Sequence, residues 1–306
     1  MANFFGLFNY NKPGKGVRKD EPAKTGAALF FDIFLLRFWK LIQLNLAYIL
    51  CSLPAIGIVF FMSAFAVVWL TSFEFSVTTF SINEISAVYI ASVCLTTIFI
   101  GIFGSGSASA GMAYVIRNYV NNTHAWVWSD FKDSMKENFL KGTLIFIIDV
   151  IVTMLFVVSI VFYSNAMTGL LAVVLRTVVL VVFAIFAVMH MYVYPLLAGF
   201  ELKIKDIYRN AFFLTMAKLP WNVFSFILTA LLGYAMIYIA INSILGLFAV
   251  ICVFFSFFTF TQRFMVNNVI KKYLLEPALK QQGTEEQEQV EAVFDDNVTI
   301  DKSNLS

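Results

Sequence analysis

Asp149 and Arg176 are the residues whose chemistry stands out first, because they are the two charges in the 59 residues from Gly142 to Phe200. An ionisable group inside so apolar a run is costly, and it faces a partner, a wet cavity or the membrane boundary. Asp149 lies eight residues past Lys141, about 12 Å along a helix, and Arg176 lies seven past Gly169, about 10 Å in from the other side. In antiparallel neighbours those depths bring a structural Asp149–Arg176 pair within an arginine's reach. Two alternatives stay open: each charge is satisfied by water and headgroups at its own boundary, or both belong to a substrate or proton pathway.

His190, in AVMHMYVYP, reads as a hydrogen-bonded packing residue before it reads as a ligand or proton relay. His124 has no Cys, His or carboxylate at metal-ligand spacing. The sequence carries no nucleophile–base constellation, HExxH or Walker motif, so an enzyme is not expected, nor is a cofactor or a metal. The glycines of GSGSASAG follow no strand and precede no Lys-Ser/Thr pair, which argues against a phosphate loop. Their spacing, such as Gly104 with Ala108 and Ser107 with Gly111, instead suits close approach of helix backbones. Cys51, Cys94 and Cys252 lie in apolar runs and read as packing residues.

The elements that hold these residues must be membrane helices. The 306 residues are 60% hydrophobic and only 13% charged, about half the charged share of soluble domains. Thirty-five Phe residues fit a chain whose solvent is largely hydrocarbon. Residues 1–26 form an N-terminal segment without a secretory signal, 27–280 a six-span membrane domain, and 281–306 an acidic tail too polar to order itself.

The 33 uncharged residues from Leu41 to Phe73 hold one span interrupted by Pro54. A polar stretch follows from Ser72 to Asn83, and span two runs from Ile85 through Gly104 into GSGSASAGMAYVIRNYV. A connector with Trp126 and Trp128 leads to spans three and four, which turn at Tyr163 to Gly169 and end near Phe200. Leu219 to Gln262 is long enough for spans five and six, with a turn at Asn242 and Ser243 and an end at Arg263. Pro220 suits the first turn of span five, and Asn267 to Lys280 reads as a helical extension.

With six spans, every Lys and Arg except Arg176 falls at one side of the membrane. The positive-inside rule then places both termini in the cytoplasm of a multi-pass protein. The opposite loops are short, so partners are expected in the bilayer or the cytosol, and nucleic acid is not among them.

Three times an Asp-containing amphipathic segment precedes an apolar pair, at Asp32, Asp133 and Asp206, which points to three related hairpins around a pseudo-threefold axis. In the third, Ile204, Ile207, Tyr208 and Ala211 share one helical face, while Lys205, Asp206 and Arg209 share the other, the pattern of an interfacial helix. Lys203, Lys205, Asp206 and Arg209 are therefore the candidate cytoplasmic interaction face.

GMAYVIRNYV, and YVYPLLAGFELKIKDIYRNAFF with its Tyr194, Pro195, Leu196, Leu197, Asn210 and Ala211, resemble the YesL-like family of uncharacterised bacterial integral membrane proteins across roughly residues 30 to 280. GLFNYNKPGKG resembles the opening of longer Gram-positive members. The strip Gly104 to Ala110 departs from the family in lacking a proline near its start. The resemblance implies an all-α polytopic protein of the bacterial cell membrane with no established activity. Family genes tend to lie beside those of carbohydrate ABC transporters, which implies a non-catalytic accessory role with ABC permease subunits or other membrane proteins as partners. The alternative is a transporter or channel for a small or lipid-like solute.

Overall fold

The computed structural model describes residues 26–72 and 82–277. The N-terminal segment up to residue 25, residues 73–81 of the polar connector and the acidic tail lie outside them. Among the described residues the chain is helical, with no strand: α1 (Gly26–Ser72), α2 (Ile82–Phe103), α3 (Ser107–Val120), α4 (Val127–Glu137), α5 (Phe139–Asn165), α6 (Gly169–Gly199), α7 (Ile204–Ala217), α8 (Leu219–Asn242) and α9 (Ile244–Ile270), then a π turn at Lys271–Leu275. Helices are what hydrocarbon demands of such sequences, because each segment must satisfy its own backbone N–H and C=O groups.

Five stretches are long and apolar enough to cross a membrane: Gly26–Trp69, Phe139–Asn165, Gly169–Gly199, Leu219–Ala240 and Val250–Leu275. Val88–Phe103 and Ser107–Val120 pass the same test together, bent by 57°, which makes six if that pair is one span. The protein is thus a polytopic helical membrane protein. Two expectations change in detail. Span two does not run smoothly through Gly104, because Gly104 and Gly106 take φ of 75° and 79°, a region open to glycine and strained for other residues. Glycines rather than a proline make the bend. Span six and the extension expected after it are continuous, α9 running past Arg263 to Ile270 before the π turn, so the apolar stretch reaches Leu275.

The chain falls into two compact units, Met1–Leu36 and Arg37–Ser306. The second holds every site described below. Within it an amphipathic helix twice precedes an antiparallel hairpin, α4 before α5 and α6, and α7 before α8 and α9. The Asp32 segment differs, being continuous with α1 rather than a separate helix.

The core gathers around α6, which packs against α2, α3, α5, α7, α8 and α9. From Ala187 to Leu197 all eleven residues are buried. From Gly169 to Phe186 every residue but Ala172 is exposed or half-buried. The buried half lies at the end of the bundle where the basic residues collect. There Asn267 Nδ2 donates to Asn121 Oδ1 (3.2 Å), Arg117 to the Ala198 carbonyl (3.4 Å) and Lys141 Nζ to the Leu202 carbonyl (3.0 Å). Close backbone contact between α3 and its neighbours needs small residues here. A Cβ on Gly142 would sit 2.7 Å from the Ser107 backbone, and one on Gly111 would sit 2.6 Å from the Phe131 carbonyl oxygen.

Candidate functional site

Asp149 projects from α5 into this buried end and is fully inaccessible. Its Oδ1 lies 2.8 Å from His190 Nε2 and accepts from the Tyr208 hydroxyl at 2.9 Å. His190 Nδ1 lies 2.9 Å from the Phe186 carbonyl oxygen, an atom that can only accept, so Nδ1 carries a proton. One further proton then occupies the line between Nε2 and Oδ1. The pair is either imidazolium with carboxylate or imidazole with carboxylic acid, and in both forms its net charge is zero. That neutrality is what makes two ionisable groups tolerable at this depth. Phe103 and Phe186 enclose the imidazole edge-on, with ring centroids at 4.8 and 4.6 Å. Asp149 Oδ2 is buried without a partner, as is Thr153 Oγ1 one helical turn further on.

Tyr208 belongs to α7, so its hydroxyl ties an amphipathic helix at the basic end to the interior of the bundle. Burial, and then the Asp149 carboxyl beside it, push the Tyr208 phenol well above its ordinary value. It therefore acts as a donor and keeps its proton. On the same helix Ile207 and Ala211 are buried, Ile204 and Tyr208 half-buried, and Lys205 and Arg209 exposed, with Asp206 between. Lys203, just before α7, is exposed as well.

A second polar lock holds the other end of α7. Asn222 Nδ2 donates to the Leu214 and Thr215 carbonyls, both at 3.0 Å, and its Oδ1 accepts from the Tyr192 hydroxyl at 2.6 Å. Those carbonyls belong to the last turn of α7, where no intrahelical N–H remains to satisfy them. Asn222 thus caps α7 from within α8 while α6 holds the cap in place.

A third group of polar contacts surrounds the bend. Ser109 Oγ accepts from the Ser105 N–H at 2.8 Å and meets the Tyr48 hydroxyl at 3.1 Å, and the Gly106 N–H donates to the Tyr194 hydroxyl at 3.2 Å. Backbone groups freed by the bend are satisfied by side chains, as the membrane interior requires. Asn45, also fully buried, links α1 to α9 by donating to the Ile251 carbonyl (2.7 Å) and accepting from the Ser256 N–H (2.9 Å).

The candidate Asp149–Arg176 pair, one of the readings left open by the sequence, is not formed. Asp149 stands 16 residues before Asn165, the end of α5, and Arg176 stands seven after Gly169, the start of α6. Measured from their shared turn, the two differ by nine residues, about 14 Å at 1.5 Å per residue. Arg176 turns instead to its own helix, where Nε donates to the Ala172 carbonyl at 3.2 Å. The partner that Asp149 does find is His190, which the sequence offered mainly as a packing residue. Tyr208 was legible as part of the apolar face of α7, without a sign that its hydroxyl reaches a carboxyl. No cluster of three or more metal-ligating side chains occurs among the described residues, and the three cysteines are free and half-buried.

Residues 86–160 match the model of a family described as protein of unknown function, DUF624. The matched stretch takes in the bend, α3, α4 and Asp149, and stops before His190 and Tyr208. No curated protein and no solved structure matches the chain.

Proposed function

We propose that the protein is a non-catalytic component of the bacterial cell membrane that docks a partner through the charged face of α4 and α7, with both termini cytoplasmic. The observation that carries this reading is the pairing of amphipathic helices with a rigid seat. Each helix buries one side, at Phe131 and Ser134 in α4 and at Ile207, Ala211, Leu214 and Thr215 in α7. Each leaves cations outward, Lys132 and Lys136 on α4 and Lys205 and Arg209 on α7. Because Tyr208 hydrogen-bonds to Asp149, a partner that moved α7 would disturb the buried pair.

The link to carbohydrate uptake rests on the resemblance to YesL-like proteins and makes ABC-type permease subunits the partner to test. A role assisting uptake also suits the size of the cavity beside His190, about 40 Å³. That is space for roughly three waters at 10–15 Å³ each, far short of a hexose. The test is crosslinking in native membranes, gentle purification and mass spectrometry of what is recovered. Stoichiometric permease subunits, lost when Lys203, Lys205 and Arg209 are changed to Glu, are the expected result. Recovery of the protein alone would refute the docking role.

A second reading, proton-linked transport of a small solute, is favoured by the single proton shared between Asp149 and His190. Solute uptake into vesicles of the purified protein that follows an imposed pH gradient, and is lost in Asp149→Asn, would select it. Uptake indifferent to the gradient would reject it.

A further inference from the structure

Arg263 is a buried cation without a counter-charge. Its side chain is 4% exposed, and its Nε and one terminal nitrogen are inaccessible and bonded to nothing. No carboxylate among the described residues forms an ion pair with it. The charged group that acts on it is another cation, Arg117 of α3. Arg117 itself is engaged elsewhere, with the Ala198 carbonyl and the face of the Tyr114 ring, 4.8 Å to the centroid. An unpaired guanidinium held in a low-dielectric interior is destabilising, and an arginine does not escape that by shedding its proton at ordinary pH. The cavity beside it leaves room for a negative group that would offset this cost.

The surroundings say what would fit. Arg263 borders the cavity of about 40 Å³ among α1, α3, α6 and α9, with Thr259, Gln262, Tyr48, Ser109, Tyr194 and His190. Its wall sets the guanidinium and these hydroxyl and amide groups within a larger apolar lining that includes Ile100, Ile102, Met112 and Phe255. The volume accepts a group of a few atoms, and a guanidinium recognises the oxygens of a planar or tetrahedral oxyanion through charge-assisted hydrogen bonds.

We propose that Arg263 anchors an oxyanion site, in which this cavity receives one carboxylate or phosphate group, carried either by a lipid headgroup or by a free solute. The arrangement of α9 is compatible with both sources: Arg263 lies seven residues before Ile270, about 10 Å from the end of the helix at the basic end of the bundle.

The test uses the full chain in a neutral detergent at constant ionic strength, reading thermal unfolding. One arm titrates inorganic phosphate and acetate against chloride. The other adds phosphatidylglycerol against equal phosphatidylcholine. At a hundredfold excess over its dissociation constant a bound anion raises the folded-to-unfolded ratio about a hundredfold, which is a clear upward shift in Tm. A shift with phosphate or acetate identifies a free oxyanion, and a shift with phosphatidylglycerol alone identifies a headgroup. In Arg263→Gln the shift is expected to vanish. Arg263→Lys keeps the charge but loses the fork, and is expected to need at least tenfold more ligand, which keeps the test decisive if the Gln variant does not fold. No shift in either arm, or a shift that both variants retain in full, overturns the proposal.

Discussion

The two halves of α6 are made of nearly the same residue types and do opposite things. Gly169 to Phe186 is a run of Leu, Val, Ala and Phe around one arginine, and it turns most of its surface outward, with Leu170 81% exposed. Ala187 to Leu197 is as apolar apart from His190 and two tyrosines, yet it is buried on every side. Lipid is as apolar as leucine, so hydrophobicity alone gives a membrane helix no reason to choose protein over bilayer. What distinguishes the buried half is that each of its polar side chains reaches a partner outside α6: His190 with Asp149, Tyr192 with Asn222, Tyr194 with the Gly106 N–H. Small residues at Gly106, Gly111 and Gly142 let those partners come close. Polar pairing and close backbone contact build the core, and greasy sequence only keeps it in the membrane.

The sharpest way to break this contrast is to add one methyl group. Gly142→Ala forces a Cβ to 2.7 Å from the Ser107 backbone, which cannot move aside as a side chain would, so a loss of about 3 kcal/mol or more is expected in detergent unfolding. Gly57→Ala in α1 meets nothing within 4 Å and should be neutral or stabilising by up to about 1 kcal/mol, the ordinary helix preference for alanine. Equal effects at the two sites would erase the distinction between backbone packed closely against a neighbouring helix and backbone with open space beside it.

Next in size is Asn222→Leu, which keeps the volume but leaves the Tyr192 hydroxyl and the Leu214 and Thr215 carbonyls unsatisfied. A loss of about 2–3 kcal/mol is expected, with faster proteolysis at the α7–α8 junction as a local readout. Unchanged proteolysis would mean that Asn222 does not cap α7.

Smaller still is Tyr208→Phe, which removes one hydrogen bond and should cost about 1–2 kcal/mol near neutral pH. The folded phenol titrates above the unfolded value of 10.0. Its contribution is therefore fully present below pH 10 and is lost as pH rises beyond it, because the unfolded chain gives up the proton first. The difference between wild type and variant should stay level through neutral pH and narrow only in strong alkali. Narrowing near neutrality would show that the hydroxyl does not donate to Asp149.

Asp149 was visible in the sequence because a charge in an apolar run stands out. Its partner was not, since depths counted from opposite ends of the hairpin put Arg176 within an arginine's reach of it, and counting from the common turn widens that separation to nine residues. His190 carried an ambiguous signal, as a lone histidine packs more often than it pairs. Tyr208 and Asn222 carried almost none, because a neutral polar residue at helical spacing looks the same whether it faces lipid or caps a neighbouring helix. The spans themselves were legible from length and hydropathy, while the bend at Gly104 depends on left-handed glycines that a search for proline overlooks. The burial of Arg263 was hidden by its place near the edge of an apolar run, where a charge usually marks the end of a span.

The central claim is that Asp149 and His190 hold the buried end together as one unit. The direct measurement is a double-mutant cycle with Asp149→Asn and His190→Gln, read by unfolding in detergent, beside a second cycle pairing Asp149→Asn with Arg176→Gln. The structure predicts a coupling above about 1 kcal/mol in the first and additivity within about 0.5 kcal/mol in the second. Additive losses for Asp149 and His190, or strong coupling of Asp149 to Arg176, would contradict it.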